Sequence, residues 1–157
     1  MKACLVGLGN HGQNRLLPSI RKSNLQLVAI VSKKKIKLNL KVKFFINLED
    51  AINKLNKNII FILATPPNIH EVQILKLINN GFSVITEKPC FVTLKNLKAY
   101  SKINFNKDQF LYENFMYKEN KCFRSFYKIF KKNYNDINCI EFNFLIPSFP
   151  ENTYRKN

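Results

Sequence analysis

Short apolar runs alternate with segments whose apolar residues recur every three or four positions, from the first residues to about residue 117. Runs of the first kind read as strands and segments of the second as helices, and their regular alternation is the pattern of βαβ units on a parallel sheet. The runs fall at Lys2–Val6, Leu25–Val31, Lys43–Phe45, Ile59–Ala64, Ser83–Thr86 and Gln109–Phe115. Several are continuous and β-branched, as in strands covered on both faces. Between them the spacing predicts helices over Asn10–Lys22, Glu49–Leu55, Asn68–Asn80 and Thr93–Ile103. Ala51, Ile52 and Leu55 form the apolar side of the second, Val72, Leu75 and Ile78 that of the third, and Leu94, Leu97 and Tyr100 that of the fourth. Gly81 is placed to cap the third helix at its C-terminus, and Thr93 to cap the fourth at its start.

The pattern changes at the end of the chain. Within Lys118–Asn133, Phe123, Phe126, Tyr127 and Phe130 follow the i, i+3, i+4, i+7 spacing of an amphipathic helix. Asn138–Ile146 then alternates like a strand, with Ile140, Phe142, Phe144 and Ile146 on one side. One helix and one strand cannot bury those aromatic faces alone. The expected fold class is therefore α/β. A Rossmann-type doubly wound parallel sheet spans residues 1–117, and 118–157 open an incomplete α+β second domain.

Composition narrows the class of molecule. With 157 residues, 46% hydrophobic and 23% charged, the chain has the size and balance of an ordinary globular domain with a real core. No apolar run has the length of a membrane span, and the N-terminal apolar stretch is too short for a signal peptide, so a cytoplasmic protein with no membrane partner is expected. Cys4, Cys90, Cys122 and Cys139 are scattered, with no C-x-x-C pair and no histidine cluster. They read as reduced thiols, with no metal site. A net charge of +16 attracts polyanions in general. Its carriers are nearly all Lys, however, with Arg only at 15, 21, 124 and 155, in a chain rich in Asn, Ile and Phe and devoid of Trp. A/T-rich codons account for that bias, and no specific nucleic-acid partner is expected.

The chemistry concentrates where strands end. Gly7-Leu8-Gly9-Asn10-His11-Gly12 follows the first strand directly, as G-x-G-x-x-G at a strand-to-helix turn. Gly7 suits the tight turn, Gly9 lets backbone approach a pyrophosphate, Gly12 lets helix and strand pack closely, and the helix N-terminus offers N–H groups to phosphates. About twenty residues on, where a carboxylate would bond a ribose 2′-hydroxyl, stands Ser32-Lys33-Lys34-Lys35. A hydroxyl beside ammonium groups suits a 2′-phosphate, which favours NADP over NAD; a solvated lysine loop is the plainer alternative. The fourth strand ends in Ala64-Thr65-Pro66-Pro67-Asn68-Ile69-His70, a rigid turn at the carboxyl edge, where ligands bind. His70 has the makings of a base, but a structural bond to the loop backbone is the favoured role. The fifth strand ends in Thr86-Glu87-Lys88-Pro89, which puts Lys88 at the same edge, able to donate a hydrogen bond or assist proton transfer.

Taken together, these three motifs, in this order and spacing, resemble the glucose–fructose oxidoreductase/inositol dehydrogenase (Gfo/Idh/MocA) family over residues 2–120. The strand Leu111–Tyr117 resembles the one leading out of that family's nucleotide domain. The resemblance implies an NAD(P)-dependent dehydrogenase that exchanges hydride at a carbinol carbon of a sugar, cyclitol or nucleotide-sugar. It assigns Gly7, Gly9, Asn10, His11 and Gly12 to the phosphate loop, and Thr65, Pro66, Asn68 and His70 to the cofactor border. Glu87 and Lys88 fall beside the reacting centre as cofactor-binding residues, with Lys88 reaching nicotinamide ribose and substrate and serving also as the catalytic residue, while Ser32 and Lys33 keep the cofactor-binding role read from their position. It also implies a second domain that supplies an Asp, a His and a dimer surface. Nothing in this sequence stands in for those two residues, so the expectation is a truncated dehydrogenase that binds nucleotide and turns over weakly if at all. A homo-oligomer through the C-terminal segment is a further expectation. The alternative is a non-catalytic dinucleotide-binding or interaction module that docks a partner through its aromatic face.

Overall fold

The computed structural model describes residues 1–33, 41–141 and 143. Lys34, Lys35 and Lys37 of the lysine cluster, and residues 142 and 144–157, lie outside the described residues. Two compact units divide the chain, Met1–Phe115 and Met116–Asn157.

The first unit is built on six strands: β1 (Lys2–Val6), β2 (Gln26–Val31), β3 (Lys43–Phe45), β4 (Ile59–Leu63), β5 (Val84–Glu87) and β6 (Leu111–Asn114). All pair in parallel, in the order β3-β2-β1-β4-β5-β6. This is the 3-2-1-4-5-6 order of a doubly wound sheet, and it reverses between β1 and β4. Alternate residues of each strand feed two cores. Cys4, Val6, Ala29, Val31, Phe61, Leu63 and Val84 point to one face, where α2 (Leu48–Lys54) and α3 (Pro67–Asn79) cover them with Ala51, Ile52, Ile74, Leu77 and Ile78. Ala3, Leu5, Ile30 and Ile62 point to the other, under Leu17 and Ile20 of α1 (Leu17–Lys22). A helix layer on each face explains why these strands are apolar throughout.

The predicted helices form, with three differences that have physical causes. The segment ahead of α1 is π-helical over Gly12–Leu16, with the Leu17 N–H bonded to Gly12 O; Pro18, which has no N–H to offer, follows at once. In α3 the buried face is His70, Glu71, Ile74, Leu77 and Ile78, whereas Val72 is exposed and Leu75 half-buried. Two polar residues occupy core-facing positions there, so the apolar pattern misreports the helix's rotation. In α4 (Leu94–Tyr100) no residue is buried and Leu94 and Leu97 are exposed. Tyr100 instead packs its ring against Phe91, tilted, and Phe105, edge to face, at 5.1 and 5.8 Å between centroids. Thr93 caps α4 through its hydroxyl, as expected.

In the second unit, a 3-10 turn over Met116–Glu119 precedes α5 (Lys121–Lys132). The Asn120 side chain caps α5 by accepting from the N–H groups of Cys122 and Phe123. Phe123, Phe126, Phe130 and Tyr134 form a continuous row of rings, 5.5–6.3 Å apart between successive centroids. The strand expected over Asn138–Ile146 is absent from residues 138–141 and 143, and its other positions lie outside the described residues. Among the described residues no strand lies in the second unit to pair with it, and an unpaired strand leaves its N–H and C=O groups without a ladder.

Candidate active site

The carboxyl edge of the sheet gathers every sequence-predicted site residue, because each lies at or beyond the end of β1, β2, β4 or β5. At the β1 end the turn is built by backbone constraint. Gly7 has φ +94°, a region that L side chains rarely adopt. Its N–H donates to Val31 O at 2.9 Å and the Ala64 N–H donates to Val6 O at 2.8 Å, which fixes the turn between β2 and β4. Gly12 is buried, and a Cβ there would lie 2.2 Å from Gly7 O. Gly9 is the opposite case: it is exposed, and a Cβ would meet nothing within 4 Å. The turn is therefore closed on the protein side and bare on the solvent side, beside a helix N-terminus whose first N–H groups lack intrahelical acceptors. Such an arrangement is chemically able to receive a diphosphate.

Ser32 and Lys33 follow β2. The Ser32 N–H donates to Phe45 O at 2.9 Å, and Lys33 is exposed. Thr65 and Pro66 follow β4, and the Thr65 hydroxyl donates to Gln73 Oε1 at 2.7 Å. Pro67 occupies the first position of α3 and Asn68 is exposed in its first turn. His70 is fully buried: Nε2 lies 2.6 Å from Pro89 O and Nδ1 3.0 Å from Thr65 O, so the ring bridges the loops after β4 and β5. This agrees with the structural role favoured from sequence and leaves no face of His70 for a ligand.

Glu87 ends β5. Its Oε1 accepts from the Asn114 amide at 3.0 Å and meets His11 Nε2 at 3.2 Å. Lys88 follows, exposed. The chain beyond it is pinned residue by residue. Pro89 O is held by His70, and the Cys90 N–H donates to Glu113 Oε1 at 2.7 Å. The Val92 and Thr93 N–H groups donate to Glu71 Oε2 at 2.9 and 3.1 Å. Glu71, Glu113 and Asn114 were missed by the sequence reading. The only signal was position: Glu71 adjoins His70 on the core side of α3, and Glu113 and Asn114 interrupt an otherwise apolar strand.

Burial works against ionisation of Glu71, but the Val92 and Thr93 N–H groups, with help from Asn96 and the Thr93 hydroxyl, outweigh it and hold the carboxyl below the usual range. A lowered folded-state pKa gives stability that is complete above the usual carboxylate value of about 4.3 and lost as pH falls through the depressed one. Acidification through that depressed value should therefore release the start of α4. Amide exchange at Val92 and Thr93 should rise there, and Glu71→Gln should show the same rise at neutral pH; amides equally protected at both pH values would contradict the assignment.

Burial also pushes the Cys4 thiol up to about 12, and burial with the Glu113 carboxylate pushes Cys90 up to about 12. Cys122 and Cys139 are exposed, and all four thiols are free. Ellman's reagent at pH 8 should titrate Cys122 and Cys139 at once and Cys4 and Cys90 only after denaturation, since the thiolate is the reactive form. Among the described residues no three His, Cys, Asp or Glu side chains are grouped to hold a metal, and no helix is long and apolar enough to cross a membrane.

Comparison with known proteins agrees with this geometry. The model of the Gfo/Idh/MocA oxidoreductase family, described by its NAD-binding Rossmann fold, matches residues 1–115. No curated protein matches the chain. Among solved structures, myo-inositol 2-dehydrogenase from Lactobacillus plantarum superposes with a TM-score of 0.74 at 22% identity, over 85% of this chain and 42% of its own. Scyllo-inositol dehydrogenase from Lactobacillus casei, with bound NAD(H) and scyllo-inositol, gives 0.73 at 19% identity over the same shares, 85% and 42%. A 3-ketoreductase from Actinomadura kijaniata, in complex with NADP and TDP-benzene, gives 0.68 at 14% identity, again over 85% and 42%. At such identities the likeness is one of fold. The chain spans about two fifths of the length of the solved structures it matches.

Proposed function

The chain belongs to the Gfo/Idh/MocA oxidoreductase family through its NAD-binding Rossmann fold, and from that premise we propose that it is the cofactor-binding part of an NAD(P)-linked dehydrogenase. Its substrate is the carbinol carbon of a sugar, cyclitol or nucleotide-sugar. The observation that carries the reading is the pairing of a bare-faced glycine turn at Gly9 with Glu87–Lys88 across the point where strand order reverses. The solved relatives named above act on inositols or bind a nucleotide conjugate.

The residues present fit the cofactor. The turn from Gly7 to Gly12 receives the diphosphate, with the backbone at Gly9 open to close approach. Ser32 and Lys33 stand where the adenosine ribose reaches, and a hydroxyl with an ammonium group there favours a 2′-phosphate and so NADP over NAD. When bound, the nicotinamide supplies the hydride acceptor or donor. Lys88 faces the same edge, donates a hydrogen bond to the substrate oxygen, and takes up or returns its proton as the carbon is oxidised or reduced. Four unpaired thiols support a reducing, cytoplasmic setting.

The test is a titration of the purified chain with NADPH and NADH, read by nicotinamide fluorescence. Saturable binding of either, tighter for NADPH, is expected. Tighter NADH binding would reverse the reading of Ser32 and Lys33, and no binding of either would overturn the proposed site.

A further inference from the structure

His11 does not stand apart in the glycine turn. Its imidazole reaches the carboxylate of Glu87, the residue directly before Lys88. In the sheet, β4 lies between β1 and β5, so this contact passes over the end of β4 and ties the turn after β1 to the end of β5. The same oxygen of Glu87, Oε1, also accepts from the amide of Asn114, its register partner on β6. We propose that His11 is a positioning residue for Lys88, acting through Glu87, so that the glycine turn and the reacting end of the site are set together. The inference rests on the dinucleotide reading given above.

The geometry supports a positioning role over a stabilising one. The groups that pin the chain beyond Lys88, the buried His70 and Glu71 and the half-buried Glu113, belong to α3 and β6 and hold that loop to the fold. His11 is half-exposed, at 43% of its side-chain surface, whereas Glu87 is exposed at 18%. A half-exposed pair contributes little to stability. What the contact does is restrict where the Glu87 carboxylate and the residue after it can lie. Lys88 is thus bracketed on both sides, and only one bracket comes from the turn that receives phosphate. Contacts of this kind couple two parts of a site when the partner they hold has to be in place for the second part to work.

A double-mutant cycle tests it. NADPH affinity is measured for the wild type, Lys88→Ala, His11→Ala and the double variant, with ADP titrated into the wild type and His11→Ala. Lys88→Ala should weaken NADPH about tenfold in the wild type and about twofold or less once His11 is Ala, a coupling within the range measured for residues sharing a network. His11→Gln, which keeps a donor within reach of Glu87, should restore the full Lys88 dependence. Additive losses would overturn the role, as would Lys88→Ala without effect in the wild type. Weakening of ADP by His11→Ala as large as that of NADPH would assign the imidazole to the phosphates and overturn it too. Wild-type binding of neither ADP nor NADPH would remove the dinucleotide site and the inference with it, which separates that failure from the others.

Discussion

Gly12→Ala should cost about 3 kcal/mol or more, while Gly9→Val should fold normally and lose nucleotide binding by at least about a hundredfold. The two positions are three residues apart in one turn, and their surroundings are opposite. A Cβ on Gly12 would lie 2.2 Å from Gly7 O, 3.2 Å from Gly7 C and 3.4 Å from the Ala64 side chain. The first neighbour is a backbone oxygen of a residue that itself needs positive φ, so neither side can yield without moving the β1 turn. Overpacking of this kind costs about 1–3 kcal/mol when side chains can adjust, and more when they cannot. In a chain this size it corresponds to a fall in melting temperature on the order of 10 °C. At Gly9 nothing lies within 4 Å of the added Cβ, and the branched side chain would occupy the space through which a diphosphate approaches backbone. Circular dichroism melts with NADPH titrations on both variants decide the matter. Equal melting temperatures for the two, or retained binding in Gly9→Val, would refute this reading of the turn.

His70→Leu should be the most damaging change away from the glycine turn. The ring is wholly buried, with its two nitrogens on Thr65 O and Pro89 O. Leucine fills much of the volume but removes the ring nitrogens that meet those carbonyls, including the N–H that at least one of them accepts from. An unsatisfied buried polar group costs about 1–3 kcal/mol, and the variant should lose about 2–4 kcal/mol overall. The loss should be local in its first expression. Amide protection at Cys90, Val92 and Thr93 should fall before the β1, β2 and β4 amides change, because the loop after β5 is pinned by side chains and the central strands by their ladders. A variant with unchanged melting temperature and unchanged exchange at those three amides would show that the bridge is dispensable.

Much of this was legible from the residues because the central architecture is local. β1 and β3 form over the predicted residues, and the other four strands begin or end within two residues of the reading. Gly7 and Gly12 carry the constraints that the spacing implied. What escaped was polar chemistry in apolar places. Periodicity counts hydrophobes, so a helix that turns His70 and Glu71 inward looks rotated, and Val72 and Leu75 were read as its inner face. Glu113 and Asn114 sit inside a predicted strand, where nothing local marks them as anchors. Their partners, Cys90 and Glu87, lie 23 and 27 positions away, which no local window can see. Residues 138–141 and 143 of the expected strand form none for a related reason, since alternation proposes a strand and only a neighbour makes one.

Edge strand β6 carries an error check. Glu113 and Asn114 are consecutive, so their side chains leave the strand on opposite faces, and each meets a partner on or next to β5. A shift of β6 by one residue along β5 would exchange the two faces and break both bonds in a single step. Tyr112, exposed in the observed pairing, would trade places with its neighbours as well. An insertion inside Leu111–Asn114 would scramble the alignment that two polar side chains verify.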